Sequence, residues 1–121
     1  MKINYQALEK KLNIKFKNRD LLSQSLTHKS FDSKTNNEKL EFLGDRVLGL
    51  VIAKKLLEIY PNENEGILDK KFASLVNKNT CLEIAKNIKL ENFIQTLNPK
   101  NKSIKIEDKI ISDCCEALVG A

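Results

Sequence analysis

Five carboxylates stand at spacings that put them on helix faces. Glu38, Glu41 and Asp45 are three and four residues apart within Asn37-Glu38-Lys39-Leu40-Glu41-Phe42-Leu43-Gly44-Asp45-Arg46-Val47, so on a helix they line one stripe. Asp113 and Glu116, three apart, repeat the pattern near the other end of the chain. Around the first trio most positions are apolar, with Leu40, Leu43, Val47, Leu48, Leu50 and Val51, which is the pattern of a central, buried helix. Carboxylates on such a helix are costly unless positive charge compensates. Lys39 falls elsewhere on the wheel, so a divalent cation is the better candidate. Two helices that each present a carboxylate pair can clasp a hard cation. With no His beside them, the donors favour Mg²⁺ or Mn²⁺ over iron or zinc. An all-carboxylate site with open coordination positions suits phosphodiester hydrolysis. Without a cation the clustered groups repel, and at least one is expected to hold its proton above the ordinary range.

Either pair read alone is more simply a solvated face. What tips the balance is two pairs on two apolar helices, with Gly44 inside the first. Glycine in a helix interior costs roughly 1 kcal/mol against alanine, so it marks close packing or a functional demand.

The elements that must position these groups are helical. Glycine and proline are scarce, with 4 and 2 in 121 residues, and Val is sparse beside Leu, Ile and Lys. Tyr5 to Leu12 reads as a short amphipathic helix, and Asn18 as the cap of a helix through Leu21, Leu22 and Leu26. A long helix runs from about Asn37 to Tyr60 and stops at Pro61. A polar loop, Asn62 to Gly66, leads to a helix from about Ile67 to Asn77. Asn79 or Thr80 caps the next, Cys81 to Ile88, and Asn98 to Ser103 is a loop. The last helix starts near Glu107 with Ile110, Ile111, Cys114, Ala117 and Leu118 on its apolar face. Asn77 and Lys78 are read as surface or packing residues.

Composition narrows the function. The best candidate for a membrane span, Leu48 to Ile59, is broken by Lys54 and Lys55, and the N-terminus has no apolar signal core. A cytoplasmic location follows by default. Cys81, Cys114 and Cys115 form neither a disulfide framework nor a zinc pattern. The sole histidine, His28, has no nucleophile partner in evidence, which disfavours triad hydrolases, and it is assigned no role. A net charge of +5 favours an acidic partner such as nucleic acid. Arg19 and Arg46 are the only arginines, which argues against base-specific reading and leaves phosphate contact open.

Glu38-Lys39-Leu40-Glu41-Phe42-Leu43-Gly44-Asp45 closely resembles the signature of the ribonuclease III family, with Lys39 where arginine is common. The resemblance extends over nearly the whole chain. It takes in Leu26-Thr27-His28-Lys29-Ser30-Phe31, Tyr60-Pro61 with Glu65-Gly66, and Ser112-Asp113-Cys114-Cys115-Glu116-Ala117-Leu118-Val119-Gly120-Ala121. It implies an all-α endonuclease domain that dimerises through the signature helix and cuts double-stranded RNA with Mg²⁺, Mn²⁺ being a possible substitute. The implied products carry 5′-phosphates and short 3′ overhangs, and the implied substrates are precursors of rRNA and some of mRNA and tRNA. Carried over by position, Glu41, Asp45, Asp113 and Glu116 form the metal cluster, with Asp45 and Glu116 the most critical. Glu38 and Glu65 match auxiliary acidic positions toward the substrate and the partner subunit. Phe42 matches an aromatic inserted into the partner of a homodimer, and on the wheel Phe42, Arg46, Gly49 and Ala53 form a stripe beside the acidic one; the alternative for Phe42 is an ordinary core residue.

Residues 1–121 are accordingly expected to be one ribonuclease III catalytic domain. Its apolar end at Ala121 is read as a truncation, and the family's double-stranded-RNA-binding domain is absent from the sequence. Two other readings stay open: a non-catalytic RNA-binding or ribosome-associated protein of the same fold, and a helical metal-binding protein unrelated to RNA.

Overall fold

The computed structural model describes residues 3–97 and 106–121. Within them the chain forms α1 (Tyr5–Leu12), α2 (Arg19–Ser25), α3 (Glu38–Ile59), α4 (Glu65–Leu75), α5 (Lys78–Asn87), a 3₁₀ turn (Leu90–Phe93) and α6 (Asp108–Gly120). The architecture is all-α, as the sequence implies. The loop expected at Asn98 to Ser103 lies outside the described residues. No helix among the described residues is long and apolar enough to cross a membrane.

Asparagine starts four of these helices by one mechanism, a side-chain oxygen accepting a backbone N–H of the first turn. Asn4 accepts from Ala7, Asn18 from Asp20 and Leu21, Asn64 from Ile67, and Asn77 from Thr80. Two of these differ from the sequence expectation. Because Asn64 is a cap, α4 begins at Glu65, two residues before Ile67. Because Asn77 is the cap rather than Asn79 or Thr80, α5 begins at Lys78, and Lys78 becomes its first helical residue.

Asn37, at the start of α3, does something else. It is buried, and its Nδ2 donates to the Ser25 carbonyl at 3.2 Å and to Cys114 Sγ at 3.1 Å. That pair of bonds fixes the entry of α3 against both α2 and α6. The segment after the 3₁₀ turn is fixed to the end of α2 by a parallel bridge between Thr27 and Gln95. Neither the turn nor the bridge is foreseen by periodicity, since both are too short to have one.

The core is built from Leu8, Leu22, Leu26, Ala85, Leu90, Phe93, Ile94, Ile111 and Cys114. It lies between α1, α2, α5, the 3₁₀ turn and α6. The central helix is therefore α6, which buries Ile111, Ser112, Asp113, Cys114, Glu116 and Ala117. This corrects the expectation for α3, which buries only Leu40, Gly44 and Leu56. Its other apolar face is open, with Phe42 62% and Leu50 71% exposed and Val51 and Leu57 similarly uncovered. An all-round apolar pattern records that two faces need cover, and a single chain supplies only one of them.

Helix α3 meets α6 at a crossing made by two glycines. A Cβ at Gly44 would overlap the Glu116 carbonyl oxygen, and one at Gly120 would overlap the Leu40 carbonyl oxygen. The absence of both side chains lets the two backbones touch. Gly44 thus has the close-packing role its position in the sequence implied.

Candidate metal centre

The glycine crossing brings the acidic stripes of α3 and α6 together. Glu41 lies one residue short of a full turn before Gly44, and Asp45 directly follows it. On α6, the Gly44 contact is the backbone of Glu116 itself, with Asp113 one turn earlier. Glu41, Asp113 and Glu116 each offer a carboxylate oxygen, and these oxygens all lie within 4.8 Å of one another. Glu116 is only 3% exposed and Asp113 is also buried, while Glu41 is half-buried at the mouth.

Asp45 stands at the rim. Its side chain is 51% exposed and pairs with Arg46 Nη1 at 3.3 Å, and it lines the same groove as Glu116. Glu38, Glu41, Phe42, Asp45, Arg46, Lys78 and Glu116 line a groove of about 430 Å³ that opens the cluster to solvent. Glu38 is exposed on this groove and is not a member of the cluster. Glu65 sits exposed in the first turn of α4 and is likewise outside it.

The charge that compensates the buried carboxylates comes from lysine. Lys78 Nζ donates to Asp113 Oδ1 at 2.7 Å, to Glu41 Oε1 at 3.4 Å, and to Glu116 Oε1. Lys109 Nζ donates to the other Asp113 oxygen at 2.7 Å. The sequence reading leaves Lys109 unremarked and takes Lys78 for a surface or packing residue, which these bonds correct. The Lys109–Asp113 pair was legible from its four-residue spacing on one helix. Lys78 was recoverable only by choosing Asn77 as the cap, because that choice makes Lys78 the first residue of α5.

The electrostatics follow from this arrangement. Burial, with the Asp113 charge beside it, holds Glu41 above the ordinary carboxylate range against the pull of Lys78. Burial likewise raises Glu116, opposed by the Lys78 hydrogen bond and aided by Asp45. Burial alone would raise Asp113 too, but hydrogen bonds from Lys109 and Lys78 outweigh it and hold Asp113 below its usual value. Burial works against the Lys78 ammonium, but its bonds to Asp113 and Glu116 prevail and keep it charged well beyond the ordinary range. The direction expected for at least one carboxyl recurs at Glu41 and Glu116, but burial rather than mutual repulsion is its main cause.

This donor set fits a hard divalent cation. It consists of carboxylate oxygens only, it converges from two helices, and one side is open to the groove. The nearby thiols are not competitors: burial pushes Cys114 and Cys115 up to about 12, which keeps them protonated and poor ligands. His28 is engaged in a local turn, its Nδ1 bonded to Ser30, and lines no part of the groove.

The chain itself is similar to known nucleases. A family described as ribonuclease-III-like matches residues 18–121. Ribonuclease 3 of Pelagibacter ubique is 70% identical over all 121 residues, which cover 54% of that protein. Ribonuclease 3 of Aliarcobacter butzleri is 46% identical over 98% of this chain and 53% of its own length. The chain thus spans about half the length of the curated relatives it matches. A solved nuclease domain of ribonuclease III from Campylobacter jejuni, described for structural flexibility in a region involved in dimer formation, superposes with a TM-score of 0.88. It is 42% identical, over 97% of this chain and 82% of that one.

Proposed function

Because the chain belongs to the ribonuclease III family, we propose that residues 1–121 are the catalytic domain of a divalent-metal-dependent endoribonuclease that cuts double-stranded RNA. The observation that carries this reading is the meeting of Glu41, Asp113 and Glu116 within 4.8 Å at the α3–α6 crossing, with Asp45 beside Glu116 on the open groove. Glu41, Asp45, Asp113 and Glu116 would hold Mg²⁺, or Mn²⁺ in its place. When bound, such a cation supplies Lewis acidity and positive charge against the phosphodiester. The chain's own part is to fix the carboxylates rigidly. Glu116 and Asp113 ride on the buried central helix, and Glu41 and Asp45 are held at fixed height by the glycine crossing. Arg46 and Lys78, at the groove wall, supply positive charge where RNA phosphates would pass. Glu38, exposed on the same groove, is suited to an auxiliary role toward substrate, and Glu65 to one nearer a partner subunit.

The same reading makes the protein a homodimer. The uncovered apolar face of α3 is the surface for it, with the Arg46 guanidinium stacked 4.0 Å above the exposed Phe42 ring. A two-fold axis on that face would set two acidic grooves side by side, one for each RNA strand. Products with 5′-phosphates and short 3′ overhangs, processing of rRNA and of some mRNA and tRNA precursors, and action in the cytoplasm belong to this proposal.

One observation favours a second reading, a non-catalytic RNA-binding or ribosome-associated relative. Lys78 and Lys109 neutralise much of the cluster, so its carboxylates persist without any metal. A single experiment separates the two: cleavage of a long RNA duplex with and without Mg²⁺, using Glu116→Gln as control. Metal-dependent cutting that the substitution abolishes is the expected result. Duplex binding without cutting would establish the second reading instead.

A further inference from the structure

Lys78 holds a position that a cation bound by these carboxylates would need. Its ammonium contacts an oxygen of each of the three that converge, Glu41, Asp113 and Glu116. We propose that Lys78 is a built-in counterion of the metal-free site, which a divalent cation must displace in order to bind. The inference rests on the metal-binding reading above and adds what this chain's own lysine does to it.

Three features of the fold support a displaceable ion rather than a permanent strut. First, the lysine comes from a third element. It is the first residue of α5, set there by the Asn77 cap, and is not part of either carboxylate helix. Second, its side chain is 54% exposed, although the groups it contacts on α6 are buried. The stem lies along the groove wall, so the ammonium can swing to water without disturbing the core. Third, Asp113 keeps a partner when Lys78 leaves, because Lys109 binds its other oxygen.

The charges also fit an exchange. Three carboxylates against two ammoniums leave one negative charge at the cluster. Replacing the Lys78 charge by a divalent cation brings these three carboxylates and Lys109 to neutrality, while the Asp45 charge at the rim is matched by Arg46. Keeping both would crowd like charges within a few ångströms in a partly desolvated site, which electrostatics forbids at useful affinity. The consequence is a site tuned to weaker metal binding than its carboxylates alone would give, and protected from carboxylate repulsion when metal is scarce.

The test is Mn²⁺ binding to the purified protein without RNA, read by electron paramagnetic resonance, for wild type, Lys78→Met and Glu116→Gln. Methionine keeps the stem and removes the charge. Lys78→Met is expected to bind Mn²⁺ roughly ten-fold tighter or more, to melt lower than wild type without metal, and to regain that loss at saturating Mn²⁺. Unchanged or weaker binding by Lys78→Met, with wild type binding normally, would overturn this proposal and leave the metal site standing. Absence of Mn²⁺ binding in wild type and Lys78→Met alike would overturn both. A measurement on unaltered protein guards against misfolding of the variant: the Lys78 ammonium resonance, detected by ¹⁵N NMR. Added Mg²⁺ should move it to the position of a solvated lysine; persistence at saturating Mg²⁺ would refute displacement.

Discussion

Replacing Gly44 by alanine inserts one methyl group into the α3–α6 crossing. The new Cβ would overlap the Glu116 carbonyl oxygen and sit 2.7 Å from its carbon and 3.0 Å from Gly120 N. Carbon–carbon contacts rest near 3.5–4.0 Å, so the helices must part by about 1 Å. Both sides of the clash are backbone, and no side chain can rotate away. Overpacking costs about 1–3 kcal/mol, and more where nothing yields; the helix propensity of alanine returns about 1 kcal/mol. A net loss of about 2 kcal/mol is expected, a fall in melting temperature of about 6–12 °C for a domain of this size. The displacement acts on the backbone of Glu116, so Mn²⁺ affinity should fall with it. Gly49→Ala is the matched control on the same helix, because its Cβ would meet only the Phe72 ring edge at 3.5 Å. That change should be neutral, or stabilising by up to about 1 kcal/mol. Thermal melts followed by circular dichroism, with Mn²⁺ titrations on the same samples, read both effects. If Gly44→Ala melts within a degree or two of Gly49→Ala and binds Mn²⁺ equally well, the crossing does not position the site.

Phe42→Asp and Arg46→Glu should each shift sedimentation toward monomer while changing the monomer's melting by little, since both side chains are exposed; unaltered sedimentation would remove α3 from the interface. Asn77→Ala deletes the cap of α5 and should cost about 1 kcal/mol, and by loosening Lys78 it should also raise Mn²⁺ affinity in a titration. In the metal-free protein, Glu41 and Glu116 have folded values raised above the ordinary 4.5. Their ionisation therefore opposes folding, and stability should decline as pH rises above that value. Asp113 is lowered from 3.8, so its contribution is complete above that pH and is lost only on further acidification. Urea titrations at pH 5 and 7.5 should show the decline, and Mg²⁺ should reverse it; a metal-free protein more stable at pH 7.5 would contradict these directions. Glu65→Ala, outside the cluster, should leave Mn²⁺ binding unchanged.

What the sequence discloses here follows the range of the interactions. The caps at Asn18 and the span Tyr5–Leu12 are local and legible, because one residue and its next three decide them. The start of α5 is local too, yet Asn77, Asn79 and Thr80 are all competent caps, and the rule that ranks them is too coarse to choose among neighbours. That single ambiguity hides Lys78, whose partners lie 35 to 38 residues away. The acidic stripes were visible because each is confined to one helix. Their convergence was expected from two acidic helices and from the family resemblance, but no local pattern explains it, because it depends on Gly44 finding the carbonyl of Glu116 across the fold. Reading α3 as the central helix failed for a related reason. Hydrophobic periodicity shows which residues shun water without saying whether their cover comes from the same chain.

The long helix α3 therefore has three tasks on three faces, and they constrain one another. Leu40, Gly44 and Leu56 are committed to the fold, Glu41 and Asp45 to the acidic groove, and Phe42 with Leu50 and Val51 to solvent or a partner. Successive residues on a helix point about 100° apart, so Glu41 and Phe42 cannot be moved independently. A partner that closes on Phe42 also fixes the rim of the groove, since Arg46 bridges the Phe42 ring and the Asp45 carboxylate. Association and metal binding should then be coupled through Arg46, each favouring the other if the paired geometry suits the cation. On that argument Arg46→Glu does more than weaken assembly. It places a carboxylate beside Asp45, and the dependence of dimerisation on Mg²⁺ should change sign or vanish in sedimentation runs with and without the ion.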